Sequence, residues 1–380
     1  MTELNIVPKG AVLIRNGLIE DVGPARRVEN LAGARQAREI DATGRVIMPA
    51  FVDADVALVE SGEMERQGDV DEAGSASFRL MSRKRGLASA AAVASECAKY
   101  GSLAIGANTR CAGELKTTLK LLRIHRAVQL KPVRIRSIFS PHFSAGGART
   151  SSQALDALTG KWLPSIKSKN LAGVVEFTVG ESLPVPDIST LRAAALIAAG
   201  LGFAIRFRSA RRLEPVHLQL ALSAGAVGII APMDTLRAFV GPLSLAGCVR
   251  LIPASEGLDN PPGARLDIRR AIDEGAAIAI TSSYREGRVS SLNMQYLVYL
   301  AVHKLGLSPE EAITATIWNP ACSLRLSHVT GSLQPGKSAD LLLMDVPDYR
   351  ELSRRAGHND AILVMRTGRI ITRSAALNAA

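Results

Sequence analysis

The sequence predicts an α/β fold: a (β/α)8 TIM barrel joined to a small composite β-sandwich made from both chain ends. Three patterns carry that expectation. Short β-branched runs alternate with longer alanine-rich stretches from about residue 46 onward. About eight such units follow one another, the number a closed parallel barrel needs. Both ends of the chain change character, becoming strand-rich and punctuated by Gly and Pro.

Taken in order, the predicted strands are RVIMPAFVD, SLAIGANT, PVRIRSIFS, AGVVEFTV, FAIRFR, AVGIIAP, VRLIPAS and AIAITSS. Helical patterns lie between them, among them GELKTTLKLLRIHRAVQL, STLRAAALIAAG and ARLDIRRAIDEG. Several end on a glycine just before the next strand, the stop signal of a helix C-terminus. An open doubly wound sheet competes with the barrel, but no GxGxxG follows an early strand. At the N-terminus, GAVLIRNGLIEDVG reads as two strands about an Asn16-Gly17 hairpin turn. GSLQPGKSADLLLMDVPDY and DAILVMRTGRIITR are strand-rich as well. Neither end makes a stable sheet alone. Residues 1–50 and 331–380 are therefore expected to pair into one sandwich, with the barrel spanning 51–330.

Composition narrows the function. Of 380 residues, 47% are hydrophobic but only 4% aromatic, so the core must be built mainly from Ala, Val, Ile and Leu. No apolar run approaches the ~20 residues of a membrane span, and no secretory leader opens the chain, so no membrane partner is expected. The four cysteines are scattered without a CxxC pair, which suits a reduced, cytoplasmic setting. The net charge of +11 is dispersed over helical patterns, with no basic tail and no zinc-finger spacing, so no nucleic-acid partner is expected.

Two longer stretches are recognisable. IDATGRVIMPAFVDAD resembles the segment by which chains of the amidohydrolase superfamily enter the barrel, and SPEEAITATIWNPACSLRLSHVTGSLQPGKSADLLLMD resembles their closing segment. Within that superfamily, SSLNMQYLVYLAVHKLGLSPEEA and PDYRELSRRAGHNDAILVMRTGRII are most similar to imidazolonepropionases, the ring-opening enzymes of histidine breakdown. The resemblance implies hydrolysis of a cyclic amide or other non-peptide C–N bond, by water activated on a metal at the C-terminal mouth of the barrel. It also implies a ligand set: His-x-His ending strand one, histidines after strands five and six, and an aspartate after strand eight.

Every one of those positions is substituted here. Asp55 and Ala57 stand at the His-x-His pair, Arg206 and Ala231 at the two later histidines, and Ser283 at the aspartate. The residue types agree with that reading. Zinc takes three or four converging ligands, mostly histidine. His125, His217 and His303 fall in helical stretches, and His328 and His358 in or beside the C-terminal segment. Only His142 falls at a predicted strand end, where the resemblance implies a substrate-handling histidine. The expectation is a degenerate metal site, with no metal and no other cofactor.

What remains at the mouth is charged. Arg206 and Arg208 alternate along FAIRFR and should both point into the barrel, with Asp53, Asp55 and Glu176 as counter-charges. Glu176 reads as a general base or, preferably, as the salt-bridge partner of Arg206. Asn108 and Arg110, after strand two, are further polar contacts for an anionic small molecule. Ser282 and Ser283 lie in no GxSxG elbow and read as small polar filler. Two classes of function follow. One is a non-catalytic pseudoenzyme, binding an anionic metabolite or serving as partner to an active paralogue or to itself in a homo-oligomer. The other is a metal-independent enzyme with His142 and Glu176 as its catalytic pair.

Overall fold

The computed structural model describes residues 4–59, 78–110, 115–129, 131–141, 151–179, 187–209, 213–231, 247–254, 264–285 and 291–374. Strands β1 (Gly10–Arg15) and β2 (Leu18–Pro24) form an antiparallel hairpin. Its turn residues Asn16 and Gly17 both have positive φ, +52° and +80°. That backbone matches strand twist and suits the Asn-Gly pair. Strand β3 (Val46–Pro49) runs through Ala50 directly into β4 (Phe51–Val56), the first strand of the barrel.

The barrel continues through β5 (Ser102–Asn108), β6 (Arg134–Phe139), β7 (Val174–Val179), β8 (Ala204–Ser209), β9 (Gly228–Ile230), β10 (Val249–Pro253) and β11 (Ile278–Thr281). Each strand pairs in parallel with the next. The ends of this sheet meet at a parallel bridge between Val56 and Tyr284, where Ala57 N–H donates to the Tyr284 carbonyl at 2.9 Å. The result is a nearly closed eight-stranded barrel.

At the other end, β12 (Leu341–Met344), β13 (Ala361–Arg366) and β14 (Arg369–Arg373) join β3 in an antiparallel sheet of order β14-β13-β12-β3. The N-terminal hairpin docks onto it through Ile19 N–H to the Lys337 carbonyl and Ala339 N–H to the Gly17 carbonyl, both 2.9 Å. Val12 and Ile14 then pack against Leu341, Leu343 and Met365. Neither chain end buries an apolar face until the other arrives.

Strand alternation sorts the core into layers. Phe51, Ile105 and Ile135 face the helices on one side of the barrel, and Phe139, Val175, Phe177, Ile205 and Phe207 on the other. Val52, Ala54, Ala104, Ile138, Val174, Ala204, Leu251 and Ala279 turn inward, where Ala321, Leu324 and Leu326 plug the lower barrel. The interior is thus apolar below and charged above. Helices are capped by the residues the sequence places there. Ser82 accepts from Arg85 N–H at 3.2 Å and Asp187 from Thr190 N–H at 2.8 Å. Ser308 and Glu311 form a reciprocal capping box, and Arg269 clamps Glu311 with bonds of 2.8 and 2.9 Å.

Among the described buried polar groups left out of this bonding is one imidazole. His125, in the helix Leu115–Val128, is 1% exposed, and neither ring nitrogen has a hydrogen-bond partner. Burial pushes its pKa down to about 3. The unfolded chain therefore takes up a proton near the ordinary value of about 6.5 that the folded chain refuses. This costs stability as pH falls from about 6.5 toward 3, by at most about 1.4 kcal/mol per pH unit. Urea midpoints measured across that window should fall more steeply for the wild type than for His125→Leu. Parallel curves would show that the ring is protonated in the fold.

Candidate functional site

The charged upper tier is set by register. On β7 and β8, Glu176 pairs with Arg206 and Thr178 with Arg208, so one carboxylate sits beside both arginines. Arg206 is wholly buried, and its Nε and Nη2 both lie 2.6 Å from Glu176 Oε2. Its Nη1 donates to the Ala54 carbonyl on β4 at 2.7 Å, and its Nη2 reaches Asp55 Oδ1 at 3.5 Å. Arg208 places Nε 3.0 Å from Glu176 Oε1 and Nη2 2.5 Å from Asp55 Oδ2. Arg110 brings Nη1 and Nη2 each to 3.2 Å from Asp55 Oδ2, with Nη1 3.6 Å from Glu176 Oε1. Asn108 Nδ2 donates to Asp55 Oδ1 at 3.0 Å, and Ser283 Oγ to Asp55 Oδ2 at 2.9 Å. Ser283 holds a left-handed backbone, φ +47°, to do so.

These contacts decide the protonation states. Burial alone drives the Asp55 carboxyl upward, but Arg110, Arg208 and Arg206 together hold it far below the usual carboxylate range. Glu176 follows the same logic, with Arg206, Arg208 and Arg110 overcoming its burial. The Arg208 guanidinium, despite burial, is held more firmly charged by Asp55 and Glu176. Arg110 is the weak member: burial, then repulsion from Arg208, brings it down to about 9 against the pull of Asp55.

Asp53 corrects an expectation. It does not neutralise the arginines. The pairing of β4 with β5 shifts register between Asp53 and Val56, and that bulge turns Asp55 toward the arginines. Asp53 Oδ1 instead accepts from Asp55 N–H at 3.3 Å and Ser282 N–H at 3.1 Å, tying the two strands at the barrel seam. Its Oδ2 has no hydrogen-bond partner, and burial raises this carboxyl to about 7.

The remaining predicted positions fall as follows. Ala57 borders the seam through its bond to Tyr284. Ala231 directly follows β9 inside the helix-facing apolar layer, and its carbonyl accepts from the Arg250 guanidinium. Ser282 Oγ accepts from Tyr284 N–H at 3.1 Å, a turn-stabilising role. His142 lies outside the described residues. Among the described residues, no three His, Cys, Asp or Glu side chains come together in a way that could hold a metal ion.

Sequence reasoning did not find the residues that make room for Arg206. A Cβ at Gly106 would lie 2.4 Å from the Ala54 carbonyl oxygen, and one at Gly228 would lie 2.7 Å from Leu251 Cδ1 and 3.6 Å from Arg206 Cδ. A glycine inside a predicted strand is the available signal, since it marks close approach of another chain segment. The Ala54 carbonyl, as a main-chain acceptor, leaves no signal in residue type.

Because Arg206 is fully desolvated, its removal should cost more than a surface pair. Arg206→Met is expected to lower unfolding stability by roughly 3–5 kcal/mol, by leaving the buried Glu176 Oε2 without its guanidinium partner. Adding Glu176→Leu should return part of that loss, because the carboxylate whose Oε2 lost its partner leaves with it. Denaturant titrations of the single and double variants measure the coupling. Additive losses would show that the pair does not interact.

Known proteins place this architecture. The model of the amidohydrolase family matches residues 245–371. An imidazolonepropionase of Brevibacillus brevis is 25% identical over 98% of this chain and 92% of its own length. One of Solibacter usitatus is 28% identical over 99% and 94%. Among solved structures, a 5-methylcytosine deaminase from Klebsiella pneumoniae superposes with a TM-score of 0.72 at 16% identity, covering 95% of this chain and 94% of that one. An adenosine deaminase from Xanthomonas campestris with bound zinc gives 0.70 at 15% identity, covering 98% and 92%. The closing part of the chain thus matches the amidohydrolase family model, nearly its whole length is similar to imidazolonepropionases, and its fold is shared with these solved structures.

Proposed function

We propose that this protein keeps the amidohydrolase scaffold but has exchanged metal-dependent hydrolysis for a cation-rich pocket that receives an anionic small molecule. The observation that carries this reading is the position of Arg206. Its guanidinium lies between Ala54, Asp55 and Glu176, at the strand-five position where the superfamily resemblance implies a metal-binding histidine. The donors present do not fit a dication. A zinc ion needs three or four N, S or O ligands converging at about 2.0–2.3 Å. Here both oxygens of Asp55 and both oxygens of Glu176 are already bonded to guanidinium groups. An incoming dication would also meet the like charges of Arg110, Arg206 and Arg208 at close range.

The competing reading, metal-independent catalysis with Glu176 as base, is weakened by the same contacts. A general base needs a free lone pair and a pKa near the working pH. Glu176 is held low, by Arg206 first, and both of its oxygens accept from arginine. What the mouth offers instead is charge-assisted recognition. Of its inward guanidiniums, Arg208 and Arg110 are the outer two, with side chains 16% and 8% exposed.

Protein purified without chelator is expected to carry far less than one zinc or iron per chain by elemental analysis, and to leave imidazolonepropionate unchanged. Stoichiometric metal together with turnover would contradict the proposal.

A further inference from the structure

The formal charge of this chain is unevenly placed. Residues 78–170 contain 17 Lys and Arg against three Asp and Glu, so this stretch supplies more than the whole net charge of +11. The helix Arg83–Lys99 has one carboxylate, Glu96, which pairs with Lys99 at 3.4 Å. The helix Leu115–Val128 has none.

Packing joins these cations into one flank. Lys120 Nζ donates to the carbonyls of Arg79 and Met81, at 3.1 and 2.6 Å, and a Cβ at Gly86 would lie 2.6 Å from Ile124 Cδ1. The first turn of the helix Arg83–Lys99 is thereby fixed beside the helix Leu115–Val128. Leu121, Leu122, Ile124 and Val128 of that second helix are buried. Lys116, Lys120, Arg123 and Arg126, at i, i+4, i+7 and i+10, therefore form a stripe along its outer side. Arg126 Nη1 donates to the Lys169 carbonyl at 3.0 Å, which carries the flank on to the end of the helix Leu163–Ser168.

No carboxylate answers the stripe. Arg83, Lys84, Lys116 and Arg123 are exposed and form no ion pair, while Lys120 and Arg126 bond to carbonyls. The helix Ala264–Asp273 is built differently: Arg269 pairs with Asp273 and Arg270 with Glu274, each four residues on. Like charges three and four residues apart weaken a helix, so the stripe opposes the fold until an external polyanion meets it. Of the exposed large hydrophobic residues among those described, only Leu80 lies on or next in sequence to these two helices. A stable protein interface has an apolar core, and a membrane-surface helix inserts an apolar face. A nucleic-acid duplex requires neither: it presents one negative charge per about 1.7 Å and releases counterions on contact. From Lys116 to Arg126 the stripe is about 15 Å long at about 1.5 Å per residue, enough to meet several phosphates.

We propose that this flank binds the phosphate backbone of a nucleic-acid duplex, through Arg83 and Lys84 of one helix and Lys116, Lys120, Arg123 and Arg126 of the next. Scattered along the chain, these cations carry no nucleic-acid signature; docking of the two helices creates one. The site lies on the outer helix layer, so it stands or falls apart from the proposal about metal.

Fluorescence anisotropy of a short labelled DNA duplex, titrated with the full chain at fixed pH, tests it. Saturable binding is expected, weakening by at least about tenfold as salt rises from about 50 to about 200 mM. At constant salt, Arg123→Glu and Lys116→Glu should each weaken binding by at least about fivefold. Arg369→Glu, the same charge change on an exposed position of β14, should weaken it by less than about twofold. Equal losses in Arg123→Glu and Arg369→Glu would overturn the proposal, because net charge alone would then explain binding. So would the absence of saturable binding by the wild type at the lower salt. Polyglutamate binding more tightly than the duplex would overturn it in favour of an acidic polypeptide. Sedimentation with phosphatidylserine vesicles without duplex binding would overturn it in favour of a membrane surface.

Discussion

The guanidinium of Arg206 is the point on which the upper barrel depends. It is wholly out of water, and a cation so placed is tolerable only if nearly all its donors are met by charge or by a carbonyl dipole. The fold supplies both. Glu176 comes from the neighbouring strand in register, while Ala54 and Asp55 come from β4 across the barrel. The same side chain therefore satisfies a local pair and ties the first strand of the barrel to the fifth. Asp55, once recruited, gathers Arg110, Arg208, Asn108 and Ser283 as well, so one desolvated charge organises residues from several strand ends.

Space for this tier comes from residues that contribute no chemistry. Gly106 lets β5 approach the Ala54 carbonyl, Gly228 leaves room between Leu251 and the Arg206 stem, and small residues such as Ala104, Ala204 and Ala279 line the interior below. The apolar plug of Ala321, Leu324 and Leu326 then closes the floor. A barrel of this kind can lose or keep an activity at its mouth without disturbing the helix-facing layers that stabilise it. That separation suits a chain similar in frame to amidohydrolases that carries aspartate, alanine, arginine and serine where the resemblance implies metal ligands.

The fold was legible because it rests on periodicities. Six of the eight barrel strands fall within the runs read from the sequence, while β4 extends past Asp53 to Val56 and β8 past Arg208 to Ser209; the Asn16-Gly17 turn has the backbone its residues predict. The facing of Arg206 and Arg208 also followed from simple alternation, as did the pairing of Glu176 with Arg206. Asp53 did not follow, because alternation assumes an unbroken strand and β4 carries a bulge just after it. The left-handed Ser283 and the carbonyl of Ala54 were invisible for a related reason: they are properties of backbone geometry, and residue type does not report them.

The central claim, that a guanidinium holds the place of a metal ion, is tested most directly by diffraction from crystals grown with millimolar zinc, collected on both sides of the zinc absorption edge. The account predicts continuous side-chain density for Arg206 between Ala54, Asp55 and Glu176, with no anomalous peak among them. An anomalous peak at bonding distance from Asp55 or Glu176, with Arg206 displaced, would contradict it.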